Sequence, residues 1–172
     1  DLKPENIMLG DYGEVLVMDW GLARISESFP NAASVSQSDV MGGTPAYMAP
    51  EMALGDNVDA RTDLYALGCV AYYLLTGEQV FTGDTVLKVI SQHLHAAPLP
   101  PSERTELPIP AALEHLVLAC LAKRPEERPQ NARQLAQALD TIDGMTWGDE
   151  EANRWWSQHH PPQGPTSDAI AL

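Results

Sequence analysis

The longest apolar segment of the 172-residue chain runs from Leu64 to Leu75 and contains 12 residues. A helix that crosses a bilayer needs about 20 apolar residues. A segment of this length instead predicts a buried helix, against which other helices pack. Thr62 and Asp63 offer capping oxygens just ahead of it. We therefore expect a globular domain with one central helix and no membrane segment in this chain.

Shorter patterns predict the elements on either side of that helix. Two apolar stretches, 7–9 and 15–18, flank a Gly-Asp-Tyr-Gly reversal and predict a small β-hairpin. Residues 21–43 contain five serines and no helical period, which is typical of a long loop. The residues from Pro161 onward have the composition of a disordered tail. Amphipathic patterns predict further helices at 84–95, 111–122, 132–142 and 149–158.

The charge balance limits the partners of the chain. Ten Lys plus Arg against 24 Asp plus Glu give a formal net charge of -14. This charge repels nucleic acid and anionic membranes, so we expect neither as a partner and favour basic proteins or peptides. Cys69 and Cys120 lie far apart in apolar runs, which predicts buried thiols in a reducing cytoplasm. His93 and His95 point in different directions on a helix, so no zinc site is expected.

Two short motifs carry groups that suit phosphoryl transfer. Asp1 supplies a carboxylate that can accept the proton of a hydroxyl, and Asn6 supplies an amide oxygen that can bind magnesium. Such a pair near a proline is, taken alone, more often a turn. Asp19, in Asp-Trp-Gly at the end of the second predicted strand, is placed to hold a metal that bridges nucleotide phosphates.

The motifs continue beyond the loop with Gly-Thr-Pro-Ala-Tyr-Met-Ala-Pro-Glu at residues 43–51. A catalytic loop, a metal-binding Asp-aromatic-Gly, an activation loop and Ala-Pro-Glu follow one another in this order in protein kinases. Residues 63–68 and Arg128 extend the similarity to about residue 143. The chain resembles the C-terminal lobe of a eukaryotic-type (bacterial Hanks-type) serine/threonine protein kinase. This implies a mainly α fold, with a small β-hairpin, an activation loop and a helical bundle, and with the N-terminal lobe missing.

The resemblance implies a catalytic role for several matching residues. Asp1 is the implied base, and Asn6 and Asp19 are the implied magnesium ligands. Lys3 is the implied contact to the transferred phosphate, and Thr44 the residue that bridges the base and the lysine. The implied cofactors are ATP and Mg²⁺, so Lys3, Asn6 and Asp19 also form the implied cofactor site.

Further positions have implied structural or regulatory roles. Glu51 is expected to form a partly buried ion pair with Arg128. Asp63 is expected to anchor the backbone of the catalytic loop, although a helix N-cap explains this residue nearly as well. Ser36 and Ser38 match phosphorylated positions of bacterial relatives, and the alternative is a serine-rich solvated loop without modification.

The chain also departs from the family pattern. Trp20 replaces the usual Phe and is expected to pack beneath the nucleotide site. The sequence contains no glycine-rich loop and no strand lysine, and we expect its start to be a cut, so this chain alone should bind ATP poorly and not catalyse. The expected division is a C-lobe at 1–143, a Trp-containing helix packed on it at 144–160, and a disordered tail at 161–172.

The function that the resemblance implies is transfer of the ATP γ-phosphate to serine or threonine hydroxyls of protein substrates. Lys3 and Thr44 favour these hydroxyls over the tyrosine phenol. The alternative is a catalytically silent truncated lobe or pseudokinase that acts as a protein-binding module. A small-molecule phosphotransferase is disfavoured, because it would lack the peptide-docking segment at 43–51.

Overall fold

The computed structural model describes residues 1–10, 14–23, 43–144 and 147–159. Most of the predicted loop, including Ser36 and Ser38, lies outside the described residues, as does the predicted tail. Helices dominate the described part, with one antiparallel pair of strands. None of these helices combines the length and the apolar character that crossing a membrane requires.

The predicted hairpin is present as β1 (Ile7–Leu9) and β2 (Val15–Val17). The first residue of β1 lies opposite the last residue of β2. Asn6 directly precedes β1, and Asp19 follows two residues after β2. The hairpin therefore carries these two side chains to the same end of the sheet, although they are far apart in sequence.

The predicted helices are confirmed, with ends that differ from the expected ones by at most two residues, except at the start of the central helix. The central helix is α2. The helices of the described part are α1 (Pro50–Leu54), α2 (Ala60–Thr76), α3 (Val86–His95), α4 (Ala111–Cys120), α5 (Ala132–Asp140) and α6 (Asp149–His159).

The start of α2 lies about one turn earlier than the apolar run. Asp59 is the N-cap, and its Oδ1 accepts a hydrogen bond from the Arg61 N–H at 2.8 Å. The predicted capping by Thr62 and Asp63 is therefore wrong, because both lie inside the first turn. The Thr62 hydroxyl instead donates to Glu51 Oε1 at 2.8 Å inside the protein.

The hydrophobic core surrounds α2, as predicted from its apolar run. The larger cluster joins α2 to α4 and to the turn Pro45–Tyr47. A smaller cluster, consisting of Leu64, Cys120 and Leu135, joins α2 to α4 and α5. Both cysteines are buried free thiols, as predicted. Burial raises the pKa of Cys120 to about 11, which keeps its thiol protonated at neutral pH.

Gly68 lies where α2 packs closely against α4. A Cβ atom at this position would lie 2.7 Å from Cβ of Cys120 and 3.3 Å from Leu121. Replacing glycine by alanine in a helix interior normally stabilises by about 1 kcal/mol. Here the backbone of α4 would have to move, so we expect Gly68→Ala to destabilise by about 1–3 kcal/mol. Urea unfolding measures this, and a gain in stability would contradict the close approach.

His93 of α3 is a fully buried polar side chain, and its Nδ1 lies 2.8 Å from the Tyr65 hydroxyl. Burial, with a smaller contribution from Lys123, lowers the pKa of His93 to about 4, from an ordinary value of 6.5. As the pH falls below 6.5, the unfolded chain therefore binds a proton before the folded chain does. Stability must decrease in this window, because protons favour the state that binds them.

We expect the free energy of unfolding to fall by about 3 kcal/mol between pH 6.5 and pH 4 through His93. Urea unfolding at several pH values measures the slope. The variant His93→Phe has no titrating group at this position. Its free energy of unfolding should therefore fall by about 3 kcal/mol less than that of the wild type between pH 6.5 and pH 4. Parallel slopes for the two proteins would show that His93 binds its proton equally readily in the folded and unfolded states.

Candidate active site

Asp1, Lys3 and Thr44 meet at one point of the structure. Lys3 Nζ lies 2.9 Å from Asp1 Oδ2 and donates to Thr44 Oγ1 at 3.0 Å. The Thr44 backbone N–H donates to Asp1 Oδ1 at 3.1 Å. The structure thus brings the end of the long loop against the start of the chain, across 43 positions of sequence.

These contacts orient the Asp1 carboxylate and balance its charge. The side chain is only 13% exposed, and each of its oxygens has one partner. An ionised carboxylate offers about four lone-pair positions, so acceptor capacity remains for a further hydroxyl. Such an arrangement is able to accept a proton beside a positive charge.

Asn6 is buried at the end of the turn Pro4–Asn6. Its Nδ2 donates to the Asp1 backbone oxygen at 2.8 Å, which fixes the amide plane and leaves Oδ1 as the possible metal ligand. The backbone N–H of Met18 donates to the Asn6 backbone oxygen at 2.7 Å. Asp19 directly follows Met18, so it lies one residue away from a backbone contact with Asn6.

Asp19 has a left-handed backbone conformation, with φ of 53°, and among the described residues no other non-glycine has a positive φ. Aspartate tolerates this region better than most residues. Its Oδ1 accepts from the Gly21 N–H at 3.2 Å. The local turn therefore presents an exposed carboxylate at the end of the sheet where Asn6 lies.

The oxygens of Asn6 and Asp19 form a donor set that suits Mg²⁺, which prefers hard oxygen ligands and keeps waters or substrate phosphates at its other positions. The described residues contain no group of three or more His, Cys, Asp or Glu side chains that could hold a metal by themselves. A magnesium ion at this place would therefore depend on phosphate oxygens as well as on these two residues.

Trp20 is 71% exposed, and its Nε1 donates to the Val17 backbone oxygen at 2.9 Å. The hydrogen bond holds the ring along the end of β2. The expectation that Trp20 packs beneath a nucleotide site stays a prediction, because such packing also involves a part of the kinase domain outside this chain.

The predicted contact between Glu51 and Arg128 is present, and it is more deeply buried than expected. Nη1 and Nη2 of Arg128 each donate to one Glu51 carboxylate oxygen at 2.7 Å. The side chains are 0% and 6% exposed, respectively. Such a bidentate pair joins α1, which ends the loop segment, to the helical part of the protein.

Every N–H of the Arg128 guanidinium has an acceptor. Besides Glu51, Arg128 donates to the backbone oxygens of Ala122, Lys123 and Arg61 at 2.9–3.0 Å. Burial alone would raise the pKa of Glu51, but hydrogen bonds, the largest from Arg128, hold it below its usual range. The sequence did not reveal that Thr62 donates a third hydrogen bond to this carboxylate.

Asp63 lies in the first turn of α2, so its interpretation as an N-cap is wrong. Desolvation raises the pKa of Asp63, although the residue as a whole is exposed. The role of Asp63 as an anchor of the catalytic loop stays a prediction.

Comparison with known proteins gives an independent assignment. The model of the protein kinase domain family matches residues 1–139. The chain is 48% identical over 139 residues to serine/threonine-protein kinase PknB of Mycobacterium tuberculosis, which covers 81% of this chain and 22% of that protein. It is 38% identical over 148 residues to serine/threonine-protein kinase pkn3 of Myxococcus xanthus, covering 83% of this chain and 27% of that protein.

The match covers most of this chain but about a fifth to a quarter of the curated relatives. It includes the Asp1–Lys3–Thr44 contacts, the Asn6 and Asp19 oxygens and most of the helices around α2. At this level of identity and coverage the family is established: the chain belongs to the protein kinase domain family and is a partial member of it.

Proposed function

We propose that the protein transfers the γ-phosphate of ATP to serine or threonine hydroxyls of protein substrates, and that this chain supplies the C-terminal lobe of the kinase domain. The contact set of Asp1, Lys3 and Thr44 carries the proposal. It combines a proton acceptor, a cation and a hydroxyl side chain at the mouth of the peptide-docking segment. The curated relatives named above are serine/threonine-protein kinases, which supports the same assignment.

Each residue has a distinct task in this proposal. Asp1 orients the substrate hydroxyl and accepts its proton, and the Thr44 N–H holds the carboxylate in place. Lys3, held by Asp1 and Thr44, places positive charge where the transferred phosphoryl oxygens would lie. Asn6 and Asp19 would hold magnesium, and Mg²⁺ with ATP supplies the phosphoryl group and neutralises its charge when bound.

The β-hairpin supports the assignment of the chain to one lobe. Its apolar side chains are half exposed or more at Met8, Leu9, Val15 and Leu16. An apolar surface of this kind normally marks an interaction site. We propose that the N-terminal lobe, with the glycine-rich loop and lysine that this chain lacks, covers this hairpin.

The remaining assignments follow the same proposal. Residues 1–143 form the C-lobe, 144–160 contain a helix that packs on it, and 161–172 form the tail. Ala152 of α6 is buried, which supports the packing of this helix. We propose Ser36 and Ser38 as autophosphorylation sites and the cytoplasm as the location, with basic protein segments as preferred substrates because of the net charge of -14.

The test compares the 172-residue protein with the full-length protein, each incubated with Mg-ATP and with serine, threonine and tyrosine versions of one basic peptide. We expect the full-length protein to phosphorylate the serine and threonine peptides and not the tyrosine peptide. The 172-residue protein should show no transfer above background. A full-length protein that binds partners but transfers no phosphate would favour the silent binding module.

A further inference from the structure

We propose that Thr62 is a positioning residue for the peptide-docking segment 43–51. Its buried hydroxyl holds the Glu51 carboxylate against the first turn of α2, and this contact helps to fix where Thr44 meets Asp1. The catalytic consequence rests on the function proposed above, whereas the structural link does not. Thr62 itself lies outside the active-site contacts.

The Glu51 carboxylate is held at the start of α1 by two other side chains. Thr62 Oγ1 donates to Glu51 Oε1 at 2.8 Å, and the two residues are only 8% and 5% exposed. Arg128 donates to both carboxylate oxygens at 2.7 Å. Its Nη1 also donates to the Arg61 backbone oxygen at 3.0 Å. The first turn of α2 thus contacts both members of the buried ion pair.

The Thr62 hydroxyl binds the carboxylate from a different direction of the chain than the guanidinium does. Arg128 donates to the backbone oxygens of Ala122 and Lys123, so the ion pair ties Glu51 to the segment that follows α4. Thr62, by contrast, binds the carboxylate directly from α2. A hydrogen bond to a buried carboxylate is stronger than one between neutral groups, so its loss should allow α1 to shift.

Helix α1 reaches the active site through Met52, the residue after Glu51. A Cβ atom placed on Gly43 would lie 3.9 Å from Met52 Cε and 3.8 Å from Asp1 Oδ1, so these groups lie next to one another. The following residue, Thr44, donates its N–H to the same Asp1 oxygen at 3.1 Å. A shift of α1 should therefore displace the Thr44 amide relative to Asp1.

The chain between Thr44 and Glu51 is packed too well to absorb such a shift. Ala46, Tyr47 and Ala49 are buried members of the main core cluster. The Tyr47 N–H donates to the Thr44 backbone oxygen at 2.9 Å, which closes the turn that follows Thr44. Since close-packed interiors transmit displacements, the position of Glu51 should be felt at Thr44.

The chemical shift of the Thr44 amide proton tests the structural link without any need for activity, because it depends on the hydrogen bond to Asp1. In the 172-residue protein, Thr62→Val removes the hydroxyl and keeps the branched shape. We expect the Thr44 amide resonance to move upfield, since a longer hydrogen bond is weaker, and Thr62→Ser to restore it. An unchanged Thr44 resonance in a folded Thr62→Val protein would overturn the proposal.

Thr76→Val is the matched control on the same helix. Thr76 Oγ1 donates to the Tyr72 backbone oxygen at 2.8 Å, at the opposite end of α2. Removing this hydroxyl should leave the Thr44 amide resonance at its wild-type position. Equal displacement of that resonance in Thr76→Val and Thr62→Val would show a general loosening of α2 and would contradict a specific role of Thr62.

Thr62→Cys keeps the test decisive if Thr62→Val folds poorly. A thiol is similar in size to a hydroxyl but is a weak hydrogen-bond donor. We expect the Thr44 amide resonance to move in the same direction as in Thr62→Val, by a smaller amount. A folded Thr62→Cys protein with the wild-type Thr44 resonance would refute the link from α2 through Glu51 to the active site.

Kinetics of the full-length protein test the catalytic consequence. We expect Thr62→Val to lower kcat/KM for a serine peptide about tenfold and to leave KM for ATP within about twofold, since segment 43–51 docks peptide and not nucleotide. Thr62→Ser should restore most of the loss. Equal losses in the valine and serine variants would contradict the role of the hydroxyl. If the wild-type protein transfers no phosphate, the proposed function fails, and the Thr44 resonance still decides the role of Thr62.

Discussion

Asp1→Asn is expected to lower kcat/KM of the full-length protein about 100- to 10,000-fold, because it removes the proposed proton acceptor and keeps the shape of the side chain. The Asn oxygen can still accept the hydrogen bond from the Thr44 N–H. The contact with Lys3 is lost as an ion pair, which for a partly exposed pair costs about 1 kcal/mol or less. Steady-state rates with a serine peptide, together with urea unfolding, separate the two effects.

Asp59→Asn is the matched control for this substitution. Asp59 caps α2 away from the active-site contacts, and asparagine caps helices about as well as aspartate. This control should keep wild-type turnover and lose about 1 kcal/mol of stability or less, through its exposed pair with Arg61. Normal turnover in Asp1→Asn would show that another group accepts the proton, whereas an unfolded Asp1→Asn protein would show that its main task is structural.

Arg128→Met is expected to destabilise the protein by about 3–5 kcal/mol, because it leaves the buried Glu51 carboxylate without its partner. Methionine fills most of the space of the arginine stem, so the loss is electrostatic and not a cavity effect. Three backbone oxygens also lose their donor, those of Ala122, Lys123 and Arg61. Urea unfolding of the 172-residue protein at neutral pH measures the change.

The pH dependence identifies the cause of this loss. In the wild type the pKa of Glu51 is held below its usual range. The contribution of the ion pair to the free energy of unfolding is therefore present above that range, and it is lost as the pH falls through the lowered pKa. In the variant the unpaired carboxylate should protonate more easily. The difference in free energy of unfolding between the wild type and Arg128→Met should therefore become smaller at acidic pH. A difference that is constant with pH would indicate packing as the cause.

Arg61→Met is the control for a surface pair. Arg61 Nη2 lies 2.6 Å from Asp59 Oδ2, but the Asp59 side chain is 52% exposed. Water and salt screen such a pair, so the expected loss is about 1 kcal/mol or less. A second comparison is Glu51→Leu combined with Arg128→Met, which should be less destabilised than Arg128→Met alone, because no buried charge remains.

Local patterns predicted much of the fold. The apolar run and the amphipathic periods identified α2, α3, α4, α5 and α6, and the glycine-containing reversal identified the hairpin. Side-chain spacing along one segment is sufficient for such predictions. The start of α2 was missed, because Asp59 offers a capping oxygen one turn earlier than the apolar pattern begins.

The candidate site was predicted only in part. The motifs named Asp1, Lys3, Asn6, Asp19 and Thr44, since these residue types have a recognisable order. The contacts of Thr62 and His93 were not predicted. Each contacts a residue 11 or more positions away, Thr62 with Glu51 and His93 with Tyr65. No short pattern reports such contacts.

The amino-acid sequence by itself determined the types and order of the elements, the family, and the residues that carry the proposed chemistry, because these depend on spacing within short segments. Only the tertiary structure decided how the parts meet. It brought Thr44 into contact with Asp1 and Lys3. It also buried Arg128, whose five N–H groups all have acceptors, two of them the carboxylate oxygens of Glu51. Contacts of this kind require segments far apart in sequence to approach within hydrogen-bond distance, which depends on how the whole core packs around α2.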